Sequence, residues 1–328
     1  MRQSGYLLVM LLQLGAATAF ADPVQGNEAD WLRTMAFAAH QTNYSGVFAY
    51  QSGGRVEMSR VTHVFDKNGE HERLEGLGGA RRELIRDNDQ VWLYAEGHKK
   101  VRVEQRQIKR AFPALLPEQI FLLKENYSVR QAEEEEIAGH HAHSVVFLPR
   151  DNLRYARKMW ADSASGLLLK AVVLDDRGHL IEQYAFMQLN IGSNIDRKWI
   201  VPDDSSAAAV AHGLQLSPLP KVELLEEPCG WQVDGLPPGF RKIVEMRRPF
   251  RGNKDPVIHM VFSDGLAGVS VFIEKINGAE TYIHSGLSGQ GAAHVYNRVV
   301  GDNLITVVGE VPPRTAIQVG DSVRYAGQ

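Results

Sequence analysis

The run Leu148–Gly192, LPRDNLRYARKMWADSASGLLLKAVVLDDRGHLIEQYAFMQLNIG, decides the fold. Two stretches in it, Asp162 to Gly166 and Asp175 to Gly178, are rich in residues that tolerate turn geometry. The segments between them are apolar and β-branched, so the run reads as three strands of an antiparallel meander. Large aromatics such as Tyr155 and Trp160 read first as packing residues of that sheet.

Outward from this run, two further fingerprints follow in order. The first is Phe262-Ser263-Asp264-Gly265-Leu266 with Val269-Ser270-Val271-Phe272-Ile273, and the second is Thr306-Val307-Val308-Gly309-Glu310-Val311-Pro312-Pro313-Arg314-Thr315-Ala316. Together with Pro149-Arg150-Asp151, Arg154-Tyr155, Trp160-Ala161-Asp162 and Gly166-Leu167-Leu168-Leu169-Lys170, they resemble the RseB/MucB family, periplasmic regulators of the envelope-stress (sigma-E) pathway. The resemblance covers nearly all of the chain after the first two dozen residues. It implies an α+β, mostly antiparallel β fold: a large curved half-barrel sheet like that of periplasmic lipoprotein carriers, then a smaller α+β domain.

The start of the chain points to export. Arg2 precedes the apolar stretch Tyr6 to Leu14, and Ala19-Phe20-Ala21 offers small residues at the two positions a signal peptidase reads, so residues 1–21 are expected to be a signal peptide and the mature chain to begin at Asp22 in the periplasm. The apolar stretch is shorter than a membrane span. Losing Arg2, the leader's one charge, takes the formal charge from −3 to −4, which gives no reason to expect nucleic acid as a partner. Cys229 is the single cysteine, so no internal disulfide supports the fold.

Composition places a junction at 201–228, where four prolines and Ser205-Ser206-Ala207-Ala208-Ala209 read as a linker between a domain at 22–200 and one at 229–328. In the first domain, Leu32, Met35, Ala36 and Ala39 fall on one helical face. Strands are expected at 44–51, 55–65, 69–77, 81–86, 90–94 and 100–105, and a short helix over Pro117 to Tyr127. In the second, five strands are expected at 240–246, 257–262, 268–276, 294–300 and 304–311. A final helix is expected through Ala316, Val319 and Val323, and His284 to Ala292 reads as a mobile loop.

No catalytic constellation stands up, and no cofactor is implied. Gly286-Leu287-Ser288-Gly289-Gln290 has Gln where a nucleophile elbow needs Gly. Glu133 to Glu136 reads as a solvated charge run beside a turn. His141 and His143 would share a strand face, but two imidazoles without a third fixed ligand make a weak metal site, and none is expected. Binding is the remaining role. The resemblance implies a regulator that covers the periplasmic domain of a single-span anti-sigma factor, hinders its proteolysis, and is weakened by a lipid, lipoprotein or lipopolysaccharide ligand. The alternative is a periplasmic lipoprotein carrier or chaperone; a homo-oligomer is left open. For the lipid groove, the candidates are the apolar residues Phe48, Met58, Trp92, Leu168, Val172 and Phe186. Alternation groups strand residues by face without telling which face is concave. For the partner surface, the candidates are Arg241, Arg247, Arg248 and Arg251, a basic stretch suited to partner carboxylates.

Overall fold

The computed structural model describes residues 25–79, 82–88, 90–95, 99–104, 111–192, 195, 223–225, 229–249, 255–276 and 285–326. The expected leader, nearly all of the expected linker, and Arg251 lie outside these residues. The chain begins with α1 (Gln25–Gln41), whose Leu32, Met35, Ala36 and Ala39 are all buried, as their spacing predicts. Six strands follow: β1 (Tyr44–Ser52), β2 (Arg55–Asp66), β3 (Gly69–Gly76), β4 (Glu83–Asp87), β5 (Gln90–Ala95) and β6 (Lys99–Glu104). The expected helix over Pro117 to Tyr127 is shorter, a 3₁₀ turn at Ile120–Leu122 running into α2 (Leu123–Asn126). The meander then runs through β7 (Tyr127–Ile137), β8 (His140–Pro149), β9 (Ala156–Asp162), β10 (Leu168–Leu174) and β11 (Leu180–Ile191).

All eleven strands form one antiparallel sheet in the order β6-β5-β4-β3-β2-β1-β11-β10-β9-β8-β7. The two turns of the meander are built by aspartates. Asp162 Oδ2 accepts from the backbone N–H groups of Ala164 and Ser165, and Asp175 Oδ1 from those of Arg177 and His179. The sheet is curved and open, a half-barrel: β7 touches β11, four strands away in the order, and His140 Nε2 lies 3.2 Å from the Leu189 carbonyl oxygen. Its packed face carries Tyr44, Phe48, Phe186, Ala171, Met159, Val145 and Phe147, covered by α1 and by Phe112, Leu116, Ile120 and Leu123 of the segment before β7.

The second domain has a seven-stranded sheet in the order β12 (Glu223–Leu224), β14 (Arg241–Arg248), β15 (Val257–Ser263), β16 (Gly268–Lys275), β19 (Asn303–Gly309), β18 (Ala293–Val300), β17 (Gly286–Gln290). A two-stranded sheet joins β13 (Trp231–Val233) to β20 (Val323–Tyr325), and α3 spans Pro313–Asp321. Met260, Phe262, Val269, Val271, Ile305 and Val307 alternate onto the face that meets Ala316 and Val319 of α3.

Three expectations are corrected. Within the loop expected over 284–292, residues 286–290 form a strand: β17 pairs along its length with β18, and because all five of its residues are exposed it shows no apolar alternation. Val323 lies in β20, beyond the end of α3. Glu133 to Glu136 belong to β7, where Glu133 bonds Lys158 and Glu135 bonds Lys170 at 3.1 Å, and both ammonium groups sit over the Trp160 ring.

Candidate functional site

The two domains meet along a seam built around one buried charge pair. Arg154, in the connection between β8 and β9, donates through Nη1 to Asp264 Oδ2 at 2.5 Å, and both side chains are fully buried. Its Nε and Nη2 engage Asp151 at 3.1 and 2.9 Å, and Nη2 also donates to the Pro238 carbonyl at 2.7 Å. The Tyr127 hydroxyl donates to the same Asp264 oxygen at 2.9 Å, while Asp264 Oδ1 accepts from the N–H groups of Leu266 and Ala267 in the turn between β15 and β16. The guanidinium lies over the rings of Tyr127 and Phe240. Burial works against the charge on Arg154, but Asp151 and Asp264 outweigh it and raise its pKa. Burial, followed by the charge of Asp264, pushes the Tyr127 phenol far up.

A second contact lies at the far end of β11. Glu182, 4% exposed, accepts on Oε1 from Tyr50, Ser52 and the backbone N–H of Ala292 in the β17–β18 turn. Tyr155 and Val173 bury Ala292 beside it. Two glycines permit this approach. Gly239 has φ +79° and a Cβ there would lie 1.9 Å from Asn126 Nδ2; Gly291 has φ +60° and a Cβ there would lie 2.1 Å from Ser52 Oγ and 2.5 Å from Glu182 Oε1. At the start of α3, Thr315 Oγ1 donates to the Leu153 carbonyl at 2.8 Å.

Between these contacts is a cavity of ≈ 850 Å³. The half-barrel contributes Leu115, Leu122, Met159, Ala171 and Val173 as apolar wall, with Arg157, Glu182 and Tyr184 as polar points. The smaller sheet contributes Ile243, Met246 and Val261, with Arg241, Arg248 and His259. Arg157 Nη2 lies 3.6 Å from Glu310, across the seam. The His259 ring stacks on Phe272 with centroids 4.1 Å apart, and neither ring nitrogen has a hydrogen-bond partner. Burial, and then the nearby charge of Arg248, lowers its pKa to about 4, so the ring is neutral at pH 7. A largely apolar cavity of this size, with Arg157, Arg241 and Arg248 set among the carboxylates of Glu118, Glu125, Glu182 and Glu310, suits a molecule with an apolar body and a polar end.

The candidates named from sequence are dispersed. Phe48, Leu168 and Phe186 are buried in the core of the half-barrel. The rings of Phe48 and Phe186 each lie 5.0 Å from Phe112, which fills the space they face. Met58 pairs with Ala49, on the face opposite Phe48, and is half-buried. Trp92 is in β5 opposite Ile85, and its side chain lies outside the described residues. Val172 borders the cavity, although the register groups it with Lys158 rather than with Ala171 and Val173. Arg241 and Arg248 line the cavity from the other domain, and Arg247 is exposed outside it. Among the described residues, no three of His, Cys, Asp and Glu are grouped to hold a metal ion, and no helix is long and apolar enough to cross a membrane. Arg157, Glu182, Tyr184 and His259 were not singled out by sequence reasoning. Charged or polar side chains at inward positions of apolar strands were the available signal.

Comparison with known proteins gives a consistent picture. The family model described as the MucB/RseB N-terminal domain matches residues 27–203, and that of the MucB/RseB C-terminal domain matches residues 226–324. The chain is 31% identical over 322 residues to the sigma factor AlgU regulatory protein MucB of Pseudomonas aeruginosa, covering 96% of each. It is 26% identical over 314 residues to the sigma-E factor regulatory protein RseB of Escherichia coli K12, covering 95% of this chain and 94% of that one. Among solved structures, MucB in complex with MucA(peri) matches with a TM-score of 0.69 at 28% identity, over 90% of this chain and 98% of that one.

Proposed function

The chain belongs to the MucB/RseB family, and from that premise we propose that it is a periplasmic regulator that binds the periplasmic domain of a membrane-bound anti-sigma factor. One observation carries this reading: both domains match, in order, regulatory proteins of which one has been solved with MucA(peri) bound. The role is binding rather than catalysis. By covering its partner the regulator hinders the partner's proteolysis, and a lipid-bearing envelope component relieves the block.

The seam cavity is the proposed place for that ligand, with the acyl chain against Met159, Ala171 and Val173 and the anionic end toward Arg241 and Arg248. Magnitudes permit the switch. A chain of about a dozen carbons gains roughly 10 kcal/mol on burial, at about 0.8 kcal/mol per CH₂, and moving a two-state equilibrium from one extreme to the other needs only about 5.5 kcal/mol of differential affinity.

The test is a pair of titrations on the mature chain. A synthetic peptide from the partner's periplasmic region is titrated with and without saturating anionic amphiphile, and the amphiphile with and without saturating peptide. Linkage requires each to weaken the other by the same factor, and Arg248→Gln should weaken the amphiphile alone. If the amphiphile binds and peptide affinity stays unchanged, lipid sensing is refuted and a carrier role replaces it. If neither binds, the regulatory reading falls.

A further inference from the structure

Away from the seam, at the C-terminal end of α1, two histidines converge on one carboxylate oxygen. His40 Nδ1, on the last turn of α1, lies 2.9 Å from Glu70 Oε1, and His63 Nε2, on β2, lies 3.3 Å from the same atom. His63 Nδ1 faces the Thr42 carbonyl at 2.8 Å, which is the connection from α1 to β1. The His63 side chain is fully buried, its ring stacked on Tyr44 with centroids 4.9 Å apart. Both of its ring nitrogens therefore face oxygen acceptors, and a neutral imidazole, with one N–H, can donate to only one of them. Glu70 is itself held in place by Asn88, which takes the Glu70 N–H on its side-chain oxygen and gives its own N–H to the Glu70 carbonyl.

We infer that Glu70, His40 and His63 form a pH-sensitive clasp that fastens the end of α1 to the β2–β3 hairpin, closed when His40 carries its proton and loosened when it loses it. The groups facing it come from every element around it: His40 from α1, Tyr44 from β1, His63 from β2, Glu70 and Glu72 from β3, and Arg86 from β4, 4.0 Å from Glu70. The hydrogen bond from Glu70 raises the His40 pKa above its ordinary 6.5, against burial and the charge of Arg86. Burial works to raise the Glu70 pKa, but the hydrogen bonds from His40 and His63 outweigh it and hold the carboxyl far below its ordinary 4.5.

The signs combine into a window. A histidine with a raised folded-state pKa stabilises fully below its unfolded value, and that contribution is lost as pH rises through the folded value. A carboxyl with a depressed pKa stabilises above its unfolded value and fails only in stronger acid. The clasp is tightest between about pH 4.5 and 6.5 and opens above that range. Because α1 covers the packed face of the half-barrel, the clasp controls how firmly that cover is held.

Hydrogen exchange on the full mature chain, corrected for the intrinsic pH dependence of exchange, tests this. A hydrogen bond to a charged group corresponds to roughly tenfold or more in an opening equilibrium, so amides of residues 38–43 should be at least about tenfold better protected near pH 5.5 than near pH 8, while those of α3 keep one ratio. Glu70→Gln should abolish the difference. If that variant does not fold, His40→Gln, whose side chain is 33% exposed, should shrink it at least threefold. Equal protection at the two pH values in the wild type, or a full difference persisting in either variant, overturns the clasp.

Discussion

Asp264→Asn asks whether the seam makes the two domains one cooperative unit. The substitution keeps the shape and removes the charge. Asp264 uses one oxygen for the Leu266 and Ala267 N–H groups of its own turn and the other for Tyr127 and Arg154. An asparagine that keeps the turn must aim its NH₂ at the Arg154 guanidinium and the Tyr127 hydroxyl. The loss is two hydrogen bonds to a charged group, about 1.5–3 kcal/mol each, offset in part by the neutral bond of about 0.5–1.5 kcal/mol that the new NH₂ can donate to the Tyr127 oxygen. Breaking a buried ion pair by removing one partner typically costs about 3–5 kcal/mol, but Arg154 retains Asp151, so about 3 kcal/mol is expected. Urea unfolding followed by circular dichroism should show one transition in the wild type. In the variant the midpoint should fall and the curve should broaden or separate into two steps, because the fully buried charge pair at the seam is lost while the contacts at Glu182, Thr315 and Arg157 remain. A double-mutant cycle with Arg154→Leu and Asp264→Leu isolates the pair: the double variant should be less destabilised than the sum of the singles by about 2 kcal/mol. A cost below about 1 kcal/mol in Asp264→Asn, or an additive cycle, would refute the reasoning.

Two further outcomes are expected. Gly291→Ala places a methyl where the Ser52 and Glu182 oxygens already sit, in a left-handed conformation that itself costs roughly 1–2 kcal/mol; thermal unfolding should show a loss of about 2 kcal/mol or more, and a neutral result would mean that the β17–β18 turn does not seat on Glu182 as described. The periplasmic extract should yield a chain beginning at Asp22 and, under limited proteolysis, a first cut within 201–228; a retained leader, or a first cut between Tyr155 and Phe186, would count against the proposed boundaries.

The fold was legible where apolar runs lie between turn signals. β9 and β10 are almost continuously buried, β11 mixes buried and exposed positions, and the Asp162 and Asp175 turns bound them, so composition and turn chemistry agree. β17 was missed because a strand with every side chain in solvent leaves no period to read. The acidic run was read as a loop because the lysines that balance it come from β9 and β10, far along the sequence. The site was legible only in pieces. Arg154, Asp264 and Thr315 each belong to a different fingerprint, and the three meet at the seam. Spacing within a fingerprint carries no information about which other fingerprint it touches. The groove candidates suffered from the same limit: apolar alternation finds inward-facing residues such as Phe48 and Phe186, but a side chain from the non-repeating segment, Phe112, packs against both and fills the space they face.

Arg154 finds Asp151 three residues away but Asp264 only across 110 residues of chain. Loop-closure entropy places contacts of such separation late in folding. When the half-barrel assembles ahead of the second domain, Asp151 is, among the described residues, the half-barrel carboxylate that bonds the guanidinium. Asp151, a quarter exposed beside a fully buried arginine, is then that arginine's first counter-ion, later joined by Asp264, and its substitution should slow or misdirect assembly more than it weakens the finished molecule.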